Sequence, residues 1–319
     1  MVKIENFHVN SIFNYLTKGI LKIMKKSFLY SYNHKYCNFS IFDEEWDNLI
    51  ILDACRYDYF KKVYKQFNLP GKLEKRISSA TETTEFLKNN FREKHEDIVY
   101  VSANPFVDLL IKDKVWKTIP VWNLEWSDKY NTVHPESVFK WAVYALKEYC
   151  YNKVDKRLII HFIQPHSPYI NGYGEVNTKK NFGNIIKNKK IKILYKLDDK
   201  CYISNWPYIG IRNLPVSKIK IGYNMNLLLA MDYVKKLINL LPGRTIVTAD
   251  HGEAFGEKIH PLLPLKIYGH PVGIRHKVLV EVPWLVVEEE EKNNEEVENE
   301  VYKIWLSCKI RKKMKGEKI

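Results

Sequence analysis

An α/β fold, a mainly parallel sheet sandwiched by helices, is what this 319-residue sequence predicts, on three observations. Short, continuous apolar runs recur along the chain. Longer stretches with helical periodicity separate them. Each run gives way to a polar or acidic residue at its carboxyl end. Strands buried on both faces read as unbroken apolar runs, and their alternation with helices marks a parallel sheet covered on both sides.

The elements follow in order. Residues 12–30 read as a basic amphipathic helix, with Phe13, Leu16, Ile20, Ile23, Met24 and Phe28 on one face and Lys18, Lys22, Lys25 and Lys26 on the other. Such a helix either packs on the domain with solvated lysines or lies on an anionic membrane surface. Strands are predicted at 48–52, 97–101, 157–163 and 244–248, and helices most clearly at 136–150 and 221–241. The lysine-rich 171–220 stretch reads as an insertion or lid, and the Glu-rich then basic end of the chain as a solvated helix or a partly disordered tail. The expected organisation is an N-terminal segment 1–39, a catalytic domain 40–290 and a charged tail 291–319.

Composition narrows the function classes. The net charge of +14 favours an anionic partner: a phosphorylated or sulfated substrate, an anionic membrane or nucleic acid. No RNP, helix-turn-helix or zinc-finger pattern occurs, which counts against nucleic acid. Five cysteines without a CxxC pair argue against a disulfide framework or a structural zinc knuckle and point to a cytoplasmic chain, with peripheral membrane contact through 12–30 as an option. No run of 18 apolar residues is present to form a spanning helix.

Chemistry-bearing residues gather where the strands end, which is where open parallel sheets bind ligands. The clusters are Asp53 to Asp58, His161 to Tyr169, and Thr248 to Glu257. An Asp at a strand end often caps a helix, and a lone loop His often binds a backbone carbonyl. Carboxylates delivered with imidazoles also suit a metal, with zinc, manganese or iron ahead of calcium.

Thr248-Ala249-Asp250-His251-Gly252-Glu253 resembles the TADHGE signature of sulfatases and alkaline phosphatase relatives. Leu52-Asp53 with Arg56-Tyr57-Asp58 is similar to the family's first strand, whose Asp binds metal. Tyr223 to Leu241 resembles the helix before the signature strand, His166-Ser167-Pro168-Tyr169 the PHxPY segment, and Val280 to Trp284 the late RVPLxI strand. The matches run in family order from about residue 47 to 287. The CxPSR motif of sulfatases is absent. In its place Ser78-Ser79-Ala80-Thr81-Glu82-Thr83-Thr84-Glu85-Phe86-Leu87 looks like the threonine-nucleophile segment of lipoteichoic acid synthase-type phosphotransferases.

The resemblance implies a metal-dependent hydrolase or transferase of phosphate esters, less readily of sulfate esters, acting through a covalent intermediate on threonine. Its register makes Thr81 the nucleophile, with Thr83, Thr84 and Ser79 as alternatives. Asp53, Thr81, Asp250 and His251 would share one zinc- or manganese-like ion. A second ion is open, with Asp58, His161, His166, His260, His270 and His276 as spare donors. His166 or His161 would hold substrate oxygens or protonate the leaving group, and Arg56, Asn104, His270 and His276 are candidate substrate-binding residues. The competing class is a catalytically degenerate relative that holds an anionic glycan, lipid or membrane surface.

Overall fold

The structure, a computed structural model, describes residues 39–150, 156–170, 202–204, 215–259, 266–289 and 294–315. The amphipathic 12–30 segment, His260 and nearly all of the 171–220 insertion lie outside these residues. The elements that position the site are, in chain order, β1 (Asn48–Leu52), α1 (Tyr57–Phe67), β2 (Lys72–Ile77), α2 (Thr83–Asn90), β3 (His95–Ser102), α3 (Pro105–Ile111), β4 (Val115–Pro120), α4 (Pro135–Ala145), β5 (Arg157–Phe162), β6 (Tyr202–Ser204), α5 (Val216–Leu240), β7 (Thr245–Thr248), β8 (Ala254–Lys258), β9 (Lys266–Gly269), β10 (Glu281–Val287) and α6 (Asn294–Lys315).

Seven strands form the main sheet in the order β2-β10-β7-β1-β5-β3-β4. β10 runs against both of its neighbours, and every other pairing is parallel. The fold class read from the sequence is therefore the one observed. All five residues of β1 are buried, as a central parallel strand requires. Its side chains alternate between two cores. Ile50 and Leu52 join a core with α1, α4, α5 and α6, whereas Leu49 and Ile51 join a second core with α2, α3 and the segment around Trp46. Helices thus cover both faces of the sheet.

The four predicted strands and the helices over 136–150 and 221–241 occur within a few residues of their expected bounds. The α4 helix ends at Ala145 and continues as a π-helical turn to Cys150. The edge strand β2, with the sequence KLEKRI, carries no apolar run to announce it. Its charges suit an exposed sheet edge. At the C-terminus α6 is a continuous helix, and its Val301 and Cys308 are buried against the α4 side of the core.

One buried polar side chain ties a site loop to this frame. Asn226 on α5 donates to the carbonyls of His166 and Pro168, at 3.0 Å each, and accepts from the Ile170 amide at 3.0 Å. An asparagine has two N–H donors and a carbonyl acceptor, so it can complete three backbone groups that the loop would otherwise bury unpaired. Asn226→Ala is expected to cost roughly 2–4 kcal/mol in denaturant unfolding, because each orphaned buried group carries a desolvation penalty of about 1 kcal/mol or more. The conservative Asn226→Asp, which keeps the acceptor but loses both donors, should recover only part of that loss.

Candidate metal centre and active site

The carboxyl ends of β1, β3 and β7 converge on one point. Asp53 directly follows β1, Asn104 follows β3, and Asp250 and His251 follow β7. Each is fully or almost fully buried. One donor atom each from Asp53, Asp250 and His251 lies within 4.8 Å of the other two, which among the described residues makes them the group that can close on a metal ion.

The backbone is bent to achieve this. Ala54 takes a left-handed conformation, with φ of 60°, which an alanine rarely adopts. Its N–H donates to Asp250 Oδ1 at 3.0 Å, and its carbonyl accepts from the Tyr223 hydroxyl at 2.7 Å. The same tyrosine oxygen accepts from the Arg56 amide at 2.9 Å. The turn after β1 is therefore clamped between the second carboxylate and α5. Gly252 meets a different constraint, since a Cβ there would lie 2.1 Å from the Val278 carbonyl oxygen. Only glycine lets the strand end after His251 approach that backbone so closely.

The two carboxylates are held unequally. Asp250 accepts three hydrogen bonds, from the Ala54 amide, from its neighbour His251 N at 2.9 Å and from the Thr83 hydroxyl at 2.7 Å. Asp53 Oδ2 accepts from Asn104 Nδ2 at 2.6 Å, and Asp53 Oδ1 has no partner. Burial and the charge of Asp250 push the Asp53 carboxyl well above its usual range. Burial acts the same way on Asp250, but His251, His161 and the hydrogen bonds from Ala54 and Thr83 outweigh it and hold that carboxyl low.

The histidines are oriented for ligation. His251 Nδ1 lies 2.9 Å from the Gly252 carbonyl, so it carries the proton and leaves Nε2 bare toward Asp250 Oδ2 at 3.4 Å and Asp53 Oδ1 at 3.7 Å. His161 on β5 is wholly buried. Its Nδ1 meets the Tyr100 hydroxyl at 3.0 Å, and its Nε2 has no hydrogen-bond partner while facing Asp250 Oδ2 at 3.9 Å and Asp53 Oδ2 at 4.0 Å. Two buried polar atoms without partners, Asp53 Oδ1 and His161 Nε2, therefore flank the same cluster. A divalent cation there would satisfy both and neutralise the paired carboxylates, so the donor set fits a metal.

The hydroxyl at this cluster belongs to Thr83. Its Oγ1 is 2.7 Å from Asp250 Oδ2, 3.4 Å from His251 Nε2 and 3.4 Å from Asn104 Nδ2. Thr81, the residue that the sequence register places with the metal, is turned elsewhere. Its amide donates to Glu85 Oε2 at 2.8 Å, its Oγ1 contacts the same carboxylate at 3.2 Å, and Gly273 N donates to that Oγ1 at 2.9 Å. The cause is local. Glu82 serves as the N-cap of α2, its side chain accepting from the Glu85 amide, which makes Thr83 the first helical residue and aims it at the sheet edge. The hydroxyl that meets the cluster thus lies two residues after the one that the resemblance selects.

The other sequence candidates divide between the mouth of the site and its supports. His166 and His270 reach the mouth, with ring centroids 5.1 Å apart, and His270 stacks toward His251 at 4.7 Å. His270 Nδ1 pairs with Glu253 Oε2 at 2.6 Å. The glutamate was visible in the TADHGE string, but no role was read for it there. Arg56 is a clamp rather than an open anion hook. Its guanidinium forks onto Asp58 at 2.9 and 2.8 Å and reaches Glu257 at 2.6 Å and the Glu253 carbonyl at 3.1 Å, beside the Tyr59 and Phe255 rings. Asn104 is committed to Asp53 and, through Oδ1, to capping α3 at the Phe106 amide. His276 caps the short helix Lys277–Val280 and is not brought to the carboxylates.

No protein-family model matches the chain, and no curated protein matches it. Among solved structures, the C-terminal periplasmic domain of EcEptC from Escherichia coli, in complex with Zn, is similar at 12% identity over 80% of this chain and 77% of that one, with a TM-score of 0.44. A protein in the alkaline phosphatase superfamily from Vibrio parahaemolyticus is similar at 10% identity over 85% of this chain and 70% of that one, with a TM-score of 0.41. At these values neither likeness assigns an activity, and the site has to be read from its own geometry.

Burial gives the metal-free site a pH signature. His161, His166 and His270 are each pushed down to about 4 from an ordinary 6.5, primarily by burial. Unfolding exposes them to water, where they bind protons that the folded state refuses. Their contribution is complete above about pH 6.5 and is lost as pH falls toward 4. Asp53, raised in the folded state, works the other way, and Asp53→Asn removes that opposing group and leaves the imidazoles to set the trend. The metal-free Asp53→Asn protein should therefore show a falling denaturation midpoint as pH drops from 7 to 5, followed by chemical unfolding. A flat or rising midpoint would contradict the burial of the three rings.

Proposed function

We propose that this chain is a metal-dependent phosphoesterase or phosphotransferase of the alkaline phosphatase/sulfatase superfamily, with Thr83 as its nucleophile. The observation that carries the reading is the Thr83 hydroxyl, seated on the first turn of α2 and hydrogen-bonded to Asp250 beside the bare Nε2 of His251. The sequence resemblance supports the family, and the contacts of Thr83 support it over Thr81 as the nucleophile. Zinc or manganese suits the donor set of Asp53, Asp250, His251 and Thr83, with His161 Nε2 aimed at the same carboxylates. When bound, such an ion lowers the pKa of a coordinated hydroxyl and polarises a phosphoryl oxygen.

The chain's own groups account for the remaining steps. Asp250 Oδ2 is already in place to accept the Thr83 proton as Oγ1 attacks phosphorus. The P–O bond to the leaving alcohol breaks, leaving a phosphothreonine, and the leaving oxygen takes a proton at the mouth, from water or from a His166 or His270 ring that the bound phosphoryl anion has brought to its protonated form. Water or an acceptor hydroxyl then displaces Oγ1 from phosphorus and regenerates Thr83. The N-terminal end of α2 favours the anion throughout. Phosphate is preferred over sulfate because the segment offers a threonine and no CxPSR motif.

The test compares threonine variants on phosphomonoester, phosphodiester and sulfate ester substrates, with bound metal measured on each purified protein. Thr83→Ala should lower turnover about a thousandfold or more, since an activated nucleophile is lost. It should keep most of its metal, because Asp53, Asp250 and His251 remain. Thr81→Ala should retain most of the rate and lose some stability. Full activity of Thr83→Ala would end the covalent reading, and absence of stoichiometric metal from the wild type would end the metal reading.

A further inference from the structure

The C-terminal helix α6 carries two apolar rows, and the fold uses one of them. Val297, Val301, Ile304, Trp305 and Cys308 pack on the core. Tyr302, Leu306 and Ile310, spaced by four residues, lie on the outer side and are 50%, 39% and 53% exposed, with the Tyr302 ring tilted against Trp305 at 5.6 Å. Isolated exposed apolar residues are ordinary, whereas a row along one helix face marks a contact surface. Here half of the exposed large hydrophobics among the described residues fall in that single row.

Charge is segregated along the same helix. Its first turns carry Glu295, Glu296, Glu298 and Glu300, and from Lys303 to Lys315 every charged residue is basic. Lys303, Lys309 and Lys313 are exposed and lie at helical spacing beside the apolar row. The helix also has a fixed direction on the domain. Trp305 Nε1 donates to Glu148 at 2.8 Å, Cys308 lies against the Lys140 carbonyl, and Arg311 pairs with Glu125 at 2.7 Å. Glu148 precedes β5, while Glu125 follows the carboxyl end of β4. The basic end of α6 therefore advances toward the sheet edge that bears Asp53 and Asp250.

We propose that this outer face of α6 docks the protein on an anionic lipid bilayer. Lysines beside an apolar row match an interface where acyl chains lie under negative headgroups. A second copy of the chain is the other occupant the row could take: an antiparallel pair centred on Leu306 would set Lys303 against Lys309, while the acidic first turns of each helix would meet the basic end of the other, and the test separates the two. The proposal does not rest on the chemistry assigned to the site, and its test needs no turnover.

The full chain would be sedimented with vesicles of phosphatidylcholine alone and of phosphatidylcholine mixed with phosphatidylglycerol. Wild-type protein should partition onto the anionic vesicles, and high salt should release it. The apolar triple variant Tyr302→Ser, Leu306→Ser, Ile310→Ser and the charge triple variant Lys303→Gln, Lys309→Gln, Lys313→Gln should each reduce partitioning about tenfold. Leu306, Ile310, Lys303 and Lys313 are exposed, whereas Tyr302 lies 5.6 Å from the Trp305 ring and Lys309 Nζ sits 4.3 Å over it, so melting temperature and circular dichroism are measured on each variant and should stay close to wild type. If the apolar variant is nevertheless destabilised, the lysine variant alone decides. Wild-type partitioning by the folded variants would overturn the proposal and place any lipid attraction elsewhere in this basic chain. A wild-type dimer that the apolar variant converts to monomer, without vesicle binding, would assign the row to a second copy instead.

Discussion

Two carboxylates buried side by side set the terms for everything around them. Asp53 and Asp250 sit at the ends of adjacent strands, both almost completely excluded from water. Burying one charge is costly, and burying a second beside it adds repulsion. The surroundings are organised to offset that cost. A left-handed alanine turns its amide onto Asp250, a tyrosine from α5 locks the turn, Asn104 neutralises one edge of Asp53, and Thr83 enters from the start of α2. Every element that reaches the cluster contributes a donor to it or fixes one that does.

The sheet makes this arrangement stiff. β1 lies between β5 and β7, and its side chains alternate into two separate cores, so neither face can shift without disturbing packed residues. His161 shows how the alternation serves chemistry. It pairs in register with Ile51 and Ser102, one step before the strands end, and so lies beneath the carboxylates rather than at the mouth. The mouth is furnished by loops instead, with His166 held by Asn226 and His270 held by Glu253. The floor is built on the rigid strand ends, and the rim of imidazoles is carried by loops.

Much of this was legible in the sequence because it rests on local pattern. A buried parallel strand must be apolar throughout, so Asn48–Leu52 and Thr245–Thr248 announced themselves along with the Asp residues that follow them. The metal triad came with those strands. The threonine register did not, because it turns on which residue caps α2. Glu82, an uncommon N-cap, takes that role, and nothing in the run of hydroxyl residues distinguishes it. Arg56 looked like an anion ligand because its partners Asp58 and Glu257 are 2 and 201 positions away, and the longer pairing exists only after folding. The charged edge strand β2 and the Asn226 tether escaped for the same reason. Their logic is tertiary.

The acidic floor also bears on the choice between the proposed phosphoryl-transfer chemistry and simple anion binding. A basic protein that only held a glycan, headgroup or phosphate would gain nothing from two carboxylates at the base of its crevice. Without a cation they would repel that ligand across a medium of low dielectric, where like charges a few ångströms apart interact strongly. Replacing either Asp with a neutral residue would relieve both the burial cost and the repulsion. Their presence, together with an unpartnered Asp53 Oδ1 and an unpartnered His161 Nε2, makes sense when a divalent cation reverses the local charge. On the reading proposed above, the same crevice would then attract an anionic ester and present it to the Thr83 hydroxyl, which contacts both Asp250 and His251. Simple binding gives that hydroxyl no part, whereas the proposed phosphoryl transfer requires it.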